Sequence, residues 1–151
     1  MYRRIFINNN AAISSPDRGD VTFYFNEAIT IQDDEVLEMR LSEAFFHLNA
    51  DGNFTAYVCI DKLTDNYNFI QNIDNGVQST ILGKVTGYSN ATYIIYQDPT
   101  NFRTRIYDKI LNGFHITLFD SSWTRIVPDN DWEIVIDLII TKKDVSENRS
   151  I

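Results

Sequence analysis

Residues 106–140 read IYDKILNGFHITLFDSSWTRIVPDNDWEIVIDLII, and the period of that stretch decides the fold. After Gly113, Phe114, Ile116 and Leu118 fall on one side and His115, Thr117 and Phe119 on the other, the two-residue alternation of a half-buried strand. Asp120, Ser121 and Ser122 follow as turn formers, acting through side-chain to backbone hydrogen bonds. The chain is then expected to return through Trp123 to Val127 as a hairpin partner. Pro128-Asp129-Asn130-Asp131 is a second turn signal, and the long strand after it sets Trp132, Ile134, Ile136, Leu138 and Ile140 on one face. That face reads as core. The opposite face is polar at Glu133 and Asp137 but carries Val135 and ends in Ile139, so part of it also requires cover.

The same alternation extends through the rest of the chain. Arg4 to Ile7 forms a short first strand, a loop rich in Ser, Pro and Gly follows, and Val21 to Phe25 forms another strand. Glu35 to Leu48 is ambiguous: Leu37, Met39 and Leu41 alternate as in a strand, while Leu37, Leu41, Ala44, Phe45 and Leu48 fit a helical spacing. The strand reading is preferred, because no Ser or Thr cap opens the segment and it ends in Asn49-Ala50-Asp51-Gly52-Asn53, a hairpin-type turn before the strand Thr55 to Ile60. Asp61 to Gly76 reads as a long connection with one helical turn near Asp65 to Phe69. Ser79 to Val85, Thr92 to Gln97 and Phe102 to Ile106 are the remaining strands. The sum is an all-β antiparallel sandwich, with aromatic residues filling the space between two sheets.

At 151 residues the chain is expected to form one domain over residues 1–141, followed by a charged, flexible tail over 142–151. A net charge of −8 argues against a broad nucleic-acid surface, whose affinity comes from Lys and Arg neutralising phosphates. Cys59 is the single cysteine and reads as a small buried hydrophobe. No apolar run approaches the roughly 20 residues that span a bilayer, and the first ten residues lack the apolar region of a signal peptide. The expectation is a soluble chain made in the cell interior.

Reactive constellations are sparse. His47 and His115 are far apart and no His-x-His pair occurs, so neither a metal site nor a cofactor is expected. No Gly-x-Ser-x-Gly elbow is present, and carboxylate pairs drawn from Glu38, Glu133 and Asp137 are the accidental pairs of an acidic chain. No catalytic residue is assigned. Arg18-Gly19-Asp20 reads as a turn rather than an integrin ligand, and Arg103 and Arg105 as partners of local carboxylates. Asp33-Asp34-Glu35 and Asp129-x-Asp131 lack the ligand count of a calcium loop and read as solvated turns.

Two blocks stand out: Ser14-Ser15-Pro16-Asp17-Arg18 with Val21-Thr22-Phe23-Tyr24-Phe25 and then Leu37 to Phe46, and Ile110 to Asp120 followed by Trp132 to Ile140. Together they resemble the single jelly-roll minor capsid and penton (vertex) proteins of large eukaryotic DNA viruses, virophages and polinton-like viruses. The second block is similar to the family's closing pair of strands, with Ser121 where the family has Gly after the turn Asp. The resemblance implies an eight-stranded jelly roll that serves as a structural capsid component. It is expected to assemble in the host cell interior with copies of itself or other capsid proteins, and to reside in the virion. A carbohydrate- or receptor-binding module is the alternative, with Tyr67, Phe69, Tyr88 and Tyr96 as stacking aromatics.

A surplus of apolar groups points to the assembly surface. Phe45 and Phe46 are adjacent, and so must face opposite sides of a strand; Leu138-Ile139-Ile140 does the same. Phe45 or Phe46, together with Ile139, is therefore the expected contact with another subunit.

Overall fold

The computed structural model describes residues 1–11, 14–47, 52–61, 69–71, 78–89, 93–106 and 109–143. Its strands are β1 (Tyr2–Asn8), β2 (Ser14–Asp17), β3 (Asp20–Thr30), β4 (Glu35–His47), β5 (Gly52–Asp61), β6 (Phe69–Gln71), β7 (Gln78–Ser89), β8 (Tyr93–Gln97), β9 (Thr104–Ile106), β10 (Ile110–Phe119) and β11 (Trp132–Lys142), with a 3-10 turn at Asn9–Ala11. One sheet runs β1-β11-β4-β8, with β9 also on β4, and the other runs β2-β3-β10-β5-β7-β6.

The order of pairing defines the topology. β1 pairs with β11, β3 with β10, β4 with β8 and β9, and β5 with β7, all antiparallel. First meets last, second meets second-to-last, and so inward, which is a long hairpin rolled around itself: a single jelly roll of eight strands, if β8 and β9 count as one interrupted strand. β2 and β6 are short additions at the two ends of the second sheet.

The expected core face of β11 is buried from Trp132 through Ile140, and Phe114, Ile116 and Leu118 of β10 lie opposite it in the same core. The indole N–H of buried Trp132 is satisfied by the Arg18 carbonyl at 2.6 Å. β4 is a strand, and the reason its sequence imitated a helix is a bulge. Ile136 pairs with Leu41 but Val135 pairs with Glu43, so Ser42 is an extra residue. Inward positions are Leu37, Met39 and Leu41 before the bulge and Ala44 and Phe46 after it. The three-residue step from 41 to 44 belongs to a helix period only by accident.

Four local expectations are corrected. Trp123 to Val127 is no strand: a lone bridge from Phe119 to Arg125 closes the turn. Asp120 holds that turn by accepting the Ser122 and Thr124 N–H groups at 2.8 and 3.0 Å, and Trp123 is left-handed, φ 60°. β4 and β5 form no hairpin; they lie in different sheets, so the connection after His47 crosses the sandwich. Phe69 belongs to a strand, and the rest of the expected helical turn, like most of the tail, lies outside the described residues. Gly113 does not open β10, which starts at Ile110, but marks a register shift against β3. A Cβ there would fall 1.9 Å from the Phe23 carbonyl oxygen, a contact that only glycine allows.

Candidate functional site

The outer face of the first sheet is built from the residues that alternate with the core. Cross-strand register sets Phe6 beside Val135 and Val135 beside Glu43; Glu133 beside Phe45 and Phe45 beside Ile95; Tyr2 beside Ile139 and Ile139 beside Glu38. Between these rows runs an ionic one, Arg4, Asp137, Arg40 and Asp98. Arg4 Nε lies 2.9 Å from Asp137 Oδ1, Arg40 Nη1 4.0 Å from Asp137 Oδ2, and Arg40 Nε 2.9 Å from Asp98 Oδ2.

Asp137 has no exposed side-chain surface. Burial acts to raise its carboxyl pKa, but hydrogen bonds from Arg4 and Tyr2 and the charges of Arg4 and Arg40 outweigh it and hold the group below the ordinary carboxylate range. Asp98 behaves alike: burial opposes ionisation, while Thr100 and Arg40 win and lower it. The bulge serves this row, since the Ser42 carbonyl accepts the Asp98 N–H at 2.9 Å.

Beside the ionic row lies a band of exposed apolar groups. Phe6 is 77% exposed, Ile95 65% and Phe45 36%, and the Phe45 and Tyr93 rings stack with centroids 5.6 Å apart. Such a band on a hydrogen-bonded sheet suits adhesion to another protein surface. Of the expected contact residues, Phe45 is here and Ile139 is half-buried on the same face. Phe46 is not. It is fully buried, its ring 5.3 Å from Phe54 and 6.1 Å from Trp132, because the bulge turns even-numbered residues inward. Phe6, Tyr93 and Ile95 were not singled out from the sequence, although their alternation with Ile5, Ile7 and Ile94 was visible there.

The remaining motifs are structural. His115 pairs with Asp20 at 2.5 Å and His47 is exposed; among the described residues no cluster of His, Cys, Asp or Glu could hold a metal. Cys59 is buried. Arg18 pairs with Asp131 at 3.2 Å, Asp17 accepts the Gly19 N–H at 2.8 Å and also pairs with Arg125, so Arg18-Gly19-Asp20 is a tied turn. Arg103 lies 3.7 Å from Glu38, Lys109 3.6 Å from Asp33 and Lys142 2.8 Å from Asp34. Asp131 is held below the ordinary carboxylate range by Asn9, Asn10 and Arg18. Tyr96 donates its hydroxyl to Asp98 at 3.4 Å and, with Phe102, Lys84 and Thr86, lines a groove near β7 and β8. Tyr67 lies outside the described residues. Among them, no helix is long and apolar enough to cross a membrane.

The strand order makes this a single jelly-roll sandwich. No protein-family model matches the chain, and no curated protein does. Among solved structures it is similar to a chain of the virus-like particle of extra small virus from the giant freshwater prawn Macrobrachium rosenbergii, at 12% identity over 91% of this chain and 78% of that one, with a TM-score of 0.29. At that score the likeness adds nothing to the strand order.

Proposed function

We propose that this chain is a structural component of a viral capsid, a minor capsid or penton protein, which works by adhesion and carries out no reaction. The observation that supports this is the apolar band of Phe6, Phe45, Tyr93 and Ile95 exposed on a sheet stiffened by the Arg4-Asp137-Arg40-Asp98 row. A rigid block with an adhesive face suits a shell subunit, and the resemblance of the opening and closing strand blocks to capsid proteins agrees with it. Its partners are other capsid subunits, its place the virion. Mass spectrometry of purified virions is expected to recover the chain at a fixed ratio to a major capsid protein. Its absence from particles produced in cells that express it would overturn the reading.

The groove holding Tyr96 and exposed Phe102 beside Lys84 and Thr86 favours a second reading, a carbohydrate- or receptor-binding module. Glycan-array binding that disappears with Phe102→Ala would select it. Elemental analysis of the purified chain is expected to find no stoichiometric zinc, iron or copper; a metal lost on substituting His47 or His115 would contradict the non-enzymatic reading.

A further inference from the structure

Most open strand edges among the described residues are blunted. β2 contains Pro16, β6 has 3 residues, and β8 has 5 and stops at Asp98-Pro99. β3 and β7, where they extend past β2 and β6, carry register shifts. Shortness, proline and bulges are the means by which sheets avoid pairing edge to edge. β1 has none of them: its 7 residues pair with β11 without a shift and include neither Pro nor Gly, and Arg4, one of its two charges, is folded back onto Asp137.

Its hydrogen-bond phase is fixed. The Met1 nitrogen donates to the Ile140 carbonyl at 2.6 Å and the Ile140 N–H to the Met1 carbonyl at 2.8 Å. Antiparallel pairs alternate, so Arg3, Ile5 and Ile7 bond β11 while Tyr2, Arg4, Phe6 and Asn8 direct N–H and C=O to the open edge.

We propose that two copies of the chain join through their β1 edges, antiparallel, with Ile5 on the two-fold axis. In this register the outward-bonding residues meet one another: Arg4 faces the second copy's Phe6 and Tyr2 faces its Asn8, while Arg3 faces Ile7. All of β1 is paired, and no arginine opposes an arginine; Arg4 instead meets an aromatic ring. Sliding the second copy to the next allowed register one way sets Arg4 against Arg4, and the other way leaves Tyr2 and Arg3 without partners. The pairing covers Phe6, the most exposed apolar group of β1, and fuses the two first sheets into one. It rests on the edge's own geometry, and of the apolar band invoked for the capsid reading it engages Phe6 alone.

In a Cys59→Ala background, Ile5→Cys is expected to give a covalent dimer on mild oxidation, since residues facing each other on the axis lie within disulfide reach. Arg3→Cys is expected not to, because its counterpart sits about 13 Å along the strand. Phe6→Pro removes an N–H that points outward and leaves the β11 ladder intact, so sedimentation is expected to show a monomer with an unchanged melting temperature. A native chain that stays monomeric at high concentration, equal cross-linking from both cysteines, or a dimer that survives Phe6→Pro would overturn the proposal.

Discussion

Asp137 is ionised where water does not reach, and its charged partners on the sheet are two arginines. Replacing it with Asn leaves Arg4 and Arg40 without their shared counter-ion. Arg4 is partly exposed and can be hydrated, so the expected loss is about 2 kcal/mol rather than the larger cost of a fully enclosed orphan charge. The folded carboxyl titrates below an unfolded Asp, whose pKa is about 3.9. Ionised Asp137 therefore stabilises the native state above that pH, and the contribution is lost as the pH falls through the folded value. Denaturant titrations between neutrality and about pH 3 are expected to show a flatter decline for Asp137→Asn than for the native chain. Phe45 and Phe46 offer a second contrast within one dipeptide. Phe46→Ala empties a core position and is expected to cost about 3–5 kcal/mol, whereas Phe45→Ala on the outer face is expected to cost under about 1 kcal/mol by the same unfolding measurement.

At the scale of elements, β11 joins the two halves of its sheet, β1 on one side and β4 on the other. Ile136 is fully buried at its centre, beside Ile5 and Leu41. An aspartate there has no cation within the apolar core, and its burial costs several kcal/mol, about the stability of a domain. Ile136→Asp is expected to abolish cooperative melting by circular dichroism. The inward face of this strand was legible because alternation is a local property that survives without knowledge of neighbours. Pairing is not local. Adjacent strands joined by turn residues, such as β4 and β5, look like a hairpin in sequence, yet the rolled topology sends them to different sheets. Phe46 was misread as an interface candidate for a related reason. One unpaired residue, Ser42, reverses the phase of everything after it, and nothing in the residue types announces a bulge.

For the whole molecule the question is what the outer face of the first sheet does. Ile139 is the most informative position, because it belongs to β11, whose other face is core, yet points outward between Tyr2 and Glu38. It is half-buried, so cutting it to Ser removes only part of a core residue's worth of packing, and the expected loss in the isolated chain is under about 1 kcal/mol. If the face is an assembly surface, the same substitution removes apolar area at a contact where water would otherwise be excluded, and incorporation into particles falls while the melting temperature drops by about 4 °C at most. Combining Ile139→Ser with Ile95→Ser is expected to deepen the assembly defect without unfolding the chain, since Ile95 is exposed and lies on a different strand. Should Ile139→Ser alone lower stability by about 2–4 kcal/mol, the figure for an emptied interior site, the residue is packed within the subunit. The proposed adhesive surface is then confined to the band of Phe6, Phe45, Tyr93 and Ile95 on the other side of the ionic row.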